Sequence, residues 1–280
     1  DSDIVPFDDS YIEIESSPII MSTGIADVDG GIIGVAARRP GVVANVFVEE
    51  GDPIKKGQLL AKLDDVGTSL SVSHARSVVE ITKSHIALAE VELAIARRNL
   101  KNATGPFEQG YVSREHYDEL QDEVKRQNAN LNILVKQLQS DNEVLAQRQY
   151  EDEMNYIKAP IDGHIVRRYA NPGEGASTLN VSVMFEVEPD TNHIIRAEVS
   201  EQFISEVSSG QTVEFWPELF PNNKAQGKVR RISNIFGSRS LKFENAPTKT
   251  DERVIEVIID IGDEKLLIGQ RVMVKFLPQV

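Results

Sequence analysis

From Val72 onward the apolar and small residues recur at alternating steps of three and four: Val72, Ala75, Val79, Thr82, Ile86, Ala89, Leu93, Ala96, Leu100 and Ala103. This is the spacing of a heptad seam, in which one stripe of a helix faces a partner helix. Large residues (Val72, Val79, Ile86, Leu93, Leu100) alternate with small ones, so the partner can approach closely at every second layer. At 1.5 Å rise per residue the seam is about 45–50 Å long. The run Asn102-Ala103-Thr104-Gly105-Pro106 is predicted to end the helix, because proline cannot donate the helical hydrogen bond and glycine favours a cap. A tip, Phe107-Glu108-Gln109-Gly110-Tyr111-Val112, follows. Ser113 is the expected N-cap of a return helix, with His116 where a full capping box would place Glu or Gln. The return arm sets Tyr117, Leu120, Val124, Gln127, Leu131, Leu134, Leu138, Asp141, Leu145 and Arg148 on a matching seam. Two arms of similar length joined by a short loop make an antiparallel hairpin, assigned to residues 66–154.

On either side of the hairpin the period changes. Placing Gly41 on Gly163 puts Val43 on Ile165, Phe47 on Tyr169, Gly51 on Gly173 and Asp52 on Glu174, a repeat interrupted by the hairpin. Each copy is written as short β-branched and aromatic runs broken by Gly or Pro, which spells small strands and tight turns. Neither copy can bury its apolar face alone, so residues 38–65 and 155–187 are expected to close one flattened β-sandwich across the hairpin.

The remaining segments read as a second β domain. Residues 188–280 give five strand patterns: His193–Val199, Gln211–Phe215, Lys228–Ile232, Val254–Ile259 and Arg271–Phe276. A short helix is expected over 201–207 and a polar exposed loop over 238–251, which together suggest a small barrel. Residues 1–37 contain the alternating run Tyr11–Glu15 and the apolar run Ile32–Ala37, and are read as an N-terminal arm that adds strands to that barrel. The fold class is therefore α+β and multidomain.

Composition narrows the function. The 280 residues carry a net charge of −14 and no basic stripe, which argues against nucleic acid as a partner. No stretch approaches the roughly 18 uninterrupted apolar residues of a membrane span, and the first residues lack the basic and apolar regions of a signal peptide. The absence of cysteine excludes disulfides, thiol chemistry and a lipid-bearing Cys in this sequence.

Candidate chemistry is sparse. A lipoyl or biotinyl carrier needs a lysine, usually beside methionine, at the hairpin turn where the helical insertion sits, and none of Met21, Met154, Met184 or Met273 neighbours a lysine. His74 and His85 can share a helix face but lie about 16 Å apart, too far for one metal ion. Asp64-Asp65 and Glu151-Asp152-Glu153, at the two hairpin junctions, read as solvated charge. No Ser/His/Asp set, phosphate loop or paired carboxylate stands out, so neither an enzyme, a cofactor nor a metal centre is expected.

The order half-motif, heptad hairpin, half-motif, barrel resembles the periplasmic adaptor proteins, or membrane fusion proteins, of bacterial tripartite efflux and secretion systems. Gly41, Gly51, Gly57, Gly163 and Gly173, with Ala159-Pro160, carry the likeness to that family's split lipoyl-like domain, where the glycines are structural. The tip is similar to the loop such adaptors present to an outer-membrane channel, which implies partner-binding roles for Gln109, Gly110, Tyr111, Val112, Ser113 and Arg114. Family tips often carry an Arg, a Leu and a Ser at fixed spacing; here Ser113 matches, while Asn102 and Pro106 occupy the other two places. The resemblance further implies an inner-membrane transporter of the resistance-nodulation-division or ATP-driven type as partner, and self-assembly into a ring of three or six copies. It places the chain in the periplasm, held at the inner membrane by a segment outside this sequence. Many members continue past the barrel into a membrane-proximal domain, which this sequence is expected either to lack or to have had removed. The alternative reading is a free-standing coiled-coil scaffold whose β domains only anchor the hairpin.

Overall fold

The computed structural model describes residues 19–179, 182–238 and 253–278. The chain divides into two compact units, one of residues 34–187 and one of residues up to 33 together with 188–280. The runs expected as a strand over 11–15 and, save for Ser238 itself, as a loop over 238–251 lie outside the described residues.

The first unit is built on the repeat. Strands β2 (Ile33–Ala36), β3 (Gly41–Val46), β4 (Pro53–Ile54) and β5 (Leu59–Leu63) precede the hairpin. Strands β6 (Tyr156–Lys158), β7 (Gly163–Arg168), β8 (Gly175–Ala176) and β9 (Val183–Pro189) follow it. They form two four-stranded sheets, β2-β9-β7-β4 and β6-β5-β3-β8, so each sheet takes two strands from each half. The exchange is reciprocal. Ile54 pairs with Gly163 while Ala176 pairs with Gly41, and the amide of Ile165 donates to Asp52 while that of Val43 donates to Glu174. Gly51 and Gly173 occupy equivalent turns with φ of 89° each, a left-handed conformation that costs a side-chain-bearing residue but not glycine. The interior between the sheets is filled from both halves by Val43, Ile54, Leu60 and Leu63, and by Ile157, Ile165 and Phe185.

One boundary differs from expectation. Residues 33–36 do not join the barrel with the rest of the N-terminal arm; they form β2, on β9, in the sandwich. The physical reason is the repeat itself, which extends further back than its glycines: β2 precedes Gly41 as β6 precedes Gly163, and Val35 and Ile157 are buried in the same core.

The hairpin consists of α1 (Val66–Glu108, 43 residues) and α2 (Arg114–Glu153, 40 residues). Helix α1 does not stop at Gly105-Pro106; it runs on to Glu108 with Pro106 inside its last turn. Proline removes only the bond to the Asn102 carbonyl there, and the extra turn is held from the other arm, where the ring of Tyr117 stacks on Phe107 at 4.2 Å between centroids.

The second unit is a closed six-stranded barrel in the order β1-β10-β13-β12-β11-β14. Its strands are β1 (Ile20–Val28), β10 (His193–Ser200), β11 (Thr212–Pro217), β12 (Ala225–Ser238), β13 (Arg253–Asp260) and β14 (Arg271–Phe276), with a short 3-10 helix over Glu201–Glu206. Strand β1 pairs with β10 and β14 and closes the barrel. Gly24 lies in the middle of β1 because β10 passes so near that a methyl group there would meet the Ile195 Cγ2 at 2.6 Å. Ile195, Ala197, Val213, Phe215, Val257, Ile259, Val272 and Val274 fill the interior by period-2 alternation.

Candidate functional site

The tip is a helix-terminating turn followed at once by a helix-starting one. Gly110, with φ of 79°, donates to the Phe107 carbonyl at 3.0 Å, and Tyr111 donates to the Pro106 carbonyl at 2.9 Å. Those two bonds are the Schellman arrangement, which satisfies the last carbonyls of α1 and turns the chain out of the helix. Two residues later Ser113 caps α2: its backbone is extended, and its hydroxyl oxygen accepts from the His116 amide at 3.3 Å. The loop between caps is therefore three residues long, and its backbone is fixed from both sides.

Fixed backbone displays exposed side chains. Tyr111 is 82% exposed, and Gln109, Gly110, Ser113 and Arg114 are exposed around it, whereas Val112 is half-buried. Tyr117 takes its stacking partner from α1, in Phe107, so Tyr111 is not folded back onto the hairpin as a local staple. Arg114 pairs with no acidic group among the described residues. Five of the six tip residues are thus exposed close together in sequence, among them the Tyr111 phenol, the Ser113 hydroxyl and the Arg114 guanidinium, with Val112 half-buried between them.

Behind the tip, the seam carries the load of rigidity. Ala75, Val79, Thr82, Ala89, Leu93 and Ala96 are buried on α1, and Val72, Ile86, Leu100 and Ala103 are half-buried. On α2 the seam residues from Tyr117 to Leu145 are at least half-buried, with Asp141 buried outright. Arg148, the last expected seam position, is instead exposed and ion-paired with Glu151 at 2.9 Å, which keeps a guanidinium out of an apolar layer. Among the described residues no group of three or more His, Asp or Glu side chains is placed to hold a metal ion, and no helix is long and apolar enough to cross a membrane.

A sandwich assembled from two interleaved halves, with a helical hairpin inserted between them, is matched by a family model described as the CzcB-like barrel-sandwich hybrid domain, over residues 31–184. The chain belongs to the membrane fusion protein, or periplasmic adaptor, family. Among its relatives is the multidrug export protein EmrA of Haemophilus influenzae, 24% identical over 231 residues, covering 71% of this chain and 59% of the relative. The chain thus spans less than two thirds of that protein's length. In fold it is similar to the crystal structure of MacA from Actinobacillus actinomycetemcomitans (TM-score 0.77, 17% identity, 92% of this chain and 78% of that one). It is also similar to the membrane fusion protein Spr0693 of Streptococcus pneumoniae R6 (TM-score 0.66, 20% identity, 93% and 100%).

In this adaptor the hairpin is seated on its sandwich by polar bonds that the sequence did not foreshadow. Thr68 donates its hydroxyl to Asp152 at 2.5 Å and accepts from the buried Asn155 amide at 2.7 Å, joining the first turn of α1 to the end of α2. Asp65 accepts from the Tyr156 hydroxyl at 3.1 Å and pairs with Lys62 at 2.9 Å, joining the hairpin start to β5 and β6. Asp65 and Asp152 are thus structural members of the junction rather than merely solvated charge. The Lys62 hydrogen bond, supported by Tyr156, holds the Asp65 carboxyl below the usual carboxylate range against the opposing effect of burial. The same bond raises the Lys62 ammonium, while burial and then Asp65 raise the Tyr156 phenol. Outside this network, Arg39 donates to the Glu151 carbonyl at 3.2 Å, and Arg38 donates to the Tyr150 hydroxyl at 3.0 Å.

Proposed function

We propose that this chain is a non-enzymatic periplasmic adaptor that links an inner-membrane transporter, of the resistance-nodulation-division or ATP-driven type, to an outer-membrane channel for efflux or secretion. Relatives that export drugs support the transport setting. The observation that carries the reading is Tyr111, 82% exposed on a three-residue loop at the far end of α1, a helix roughly 64 Å long. A hairpin anchored by polar bonds at its base and bare at its tip delivers contact at a distance. Gln109, Gly110, Tyr111, Val112, Ser113 and Arg114 are the docking surface, and the partner is the periplasmic end of a channel's helices. One tip is small, so its contact is weak; a ring of three or six copies multiplies it through effective concentration. The adaptor is held at the inner membrane by a segment outside this chain.

Because the sequence has no cysteine, a single one can report on contact. A Tyr111→Cys variant carrying a short bifunctional crosslinker in cells is expected to capture an outer-membrane channel protein, and a Lys136→Cys variant midway along α2 is not. Equal capture at both positions, or capture of no envelope protein at Tyr111, contradicts the reading.

A further inference from the structure

Toward the base of the hairpin, α1 and α2 flank a groove of about 620 Å³. Leu70, His74 and Val78 line it from α1, and Asp141, Val144 and Arg148 line it from α2. That volume falls within the roughly 300–1,000 Å³ of small-molecule sites. Leu70, Val78 and Val144 give it aliphatic walls. Its two charged groups are placed differently. The Arg148 guanidinium, on an exposed residue, is already matched by the Glu151 carboxylate at 2.9 Å. Asp141 is only 8% exposed, and its partners are the Thr82 hydroxyl at 2.6 Å and the Gln137 amide at 2.8 Å, both neutral donors. Among the described residues no Lys, Arg or His forms an ion pair with it.

The two hydrogen bonds do not by themselves call for a carboxylate. An asparagine at 141 could donate to the Thr82 hydroxyl oxygen and accept from the Gln137 amide, fixing the same register of the two helices without a charge. A buried carboxylate with neutral partners only is costly, and a counter-charge brought to it removes much of that cost. Each of its oxygens also accepts more than the one bond it has, so acceptor capacity is left over beside the groove.

We infer that this groove is a binding site for a small amphipathic cation, a positively charged head on an apolar body, with Asp141 as its counter-ion. The unmatched buried charge selects the sign of the ligand, and the aliphatic walls select its body. Asp141 and Arg148 are seven residues apart on α2, about 10 Å along the helix axis. The cationic head therefore lies at the Asp141 end, and the body extends toward Arg148, whose charge Glu151 offsets. A ligand seated there touches both arms, so its binding also stabilises the hairpin. The site is remote from the tip loop and does not depend on channel docking.

The test titrates the purified chain with two fluorescent probes, ethidium, an amphipathic cation, and N-phenyl-1-naphthylamine, which is apolar and neutral. Ethidium is expected to bind saturably and to raise the thermal midpoint. Asp141→Asn should weaken ethidium about tenfold, the loss of one charged contact, while leaving the neutral probe unchanged. Glu143→Gln removes an exposed carboxylate two residues away and should alter neither. Ser71→Trp, which fills the groove from an exposed position on α1 and leaves the Asp141 bonds intact, should abolish binding of both probes. Circular dichroism shows that each variant is folded; if Asp141→Asn is not, Ser71→Trp decides alone. Ethidium binding that survives Ser71→Trp, or that a folded Asp141→Asn leaves unchanged, overturns the site. Equal weakening by Glu143→Gln, or loss of binding in about 0.5 M salt, also overturns it and assigns the ethidium to the surface of a chain whose net charge is −14.

Discussion

The amide of Gly51 donates to the carbonyl of Ile165 at 2.7 Å, and the amide of Gly173 donates to the carbonyl of Val43 at 2.8 Å. These are the same bond made twice, because Gly51 and Gly173, and likewise Val43 and Ile165, are equivalent positions in the two halves of the repeat. Each half thus completes the other's turn. It follows that the sandwich is specified by residues on both sides of the hairpin and does not need the hairpin to fold. Replacing residues 70–150 by a short Gly/Ser turn should leave a chain whose circular dichroism loses its helical signal but keeps a β spectrum and a cooperative melt. A random-coil spectrum for that deletion would sink the split-domain account.

Within the hairpin, one layer of the seam is polar by design. The Thr82 hydroxyl donates to one Asp141 carboxylate oxygen at 2.6 Å, and the Gln137 amide donates to the other at 2.8 Å, with Thr82 and Asp141 both buried. A buried carboxylate deprived of a donor is costly, whereas an apolar pair in the same layer is not. Thr82→Val alone is expected to destabilise by about 1–3 kcal/mol in urea unfolding. The double variant Thr82→Val/Asp141→Leu should recover most of that loss. Simple addition of the two single effects would show that the residues are not coupled across the seam.

The hairpin base should respond to pH through Asp65 and Lys62. The folded-state pKa of Asp65 is depressed, so its contribution is complete above its ordinary value near 3.8 and is lost as pH falls through the lower folded value. Lys62 is raised, so its contribution is complete below 10.5 and is lost as pH rises through the higher folded value. The gap in thermal midpoint between wild type and Asp65→Asn should therefore be flat between about pH 4 and pH 10 and close at both extremes. A gap that opens or closes near neutral pH would point to a different titrating group.

How much of this was legible in the sequence depended on whether the determinant was local. The heptad residues of α1 from Val72 to Ala103 are all at least half-buried, because a period sustained over many turns leaves one way to hide an apolar stripe. Phe107 is the next step of that same heptad after Leu100 and Ala103. Gly105-Pro106 disguised it, since local helix-breaking propensity was weighed without the Tyr117 ring that outweighs it from the other arm. Strand β1 was likewise masked by Gly24, whose reason is the approach of Ile195 from a strand more than 160 residues away. The network of Thr68, Asp152 and Asn155 had no sequence signal, because its members come together only when both ends of the hairpin return to the same place. In the tip only the Ser113 cap was readable, because it acts through a bond to the His116 amide three positions away; the stop at Gly110 was passed over for Gly105-Pro106, the stronger local breaker.

The most direct measurement of the central claim, that the hairpin tip docks a channel, is export by cells carrying Tyr111→Asp with Ser113→Arg. The change places charge and bulk on the exposed loop while leaving the Gly110 turn and the Phe107–Tyr117 stack untouched. The account predicts that export is abolished while expression and secondary structure are unchanged, with at most the small shift in thermal midpoint that losing the Ser113 cap entails, about 1 kcal/mol. Normal export by that double variant would contradict it, and loss of export together with a collapsed midpoint would assign the tip a structural role instead.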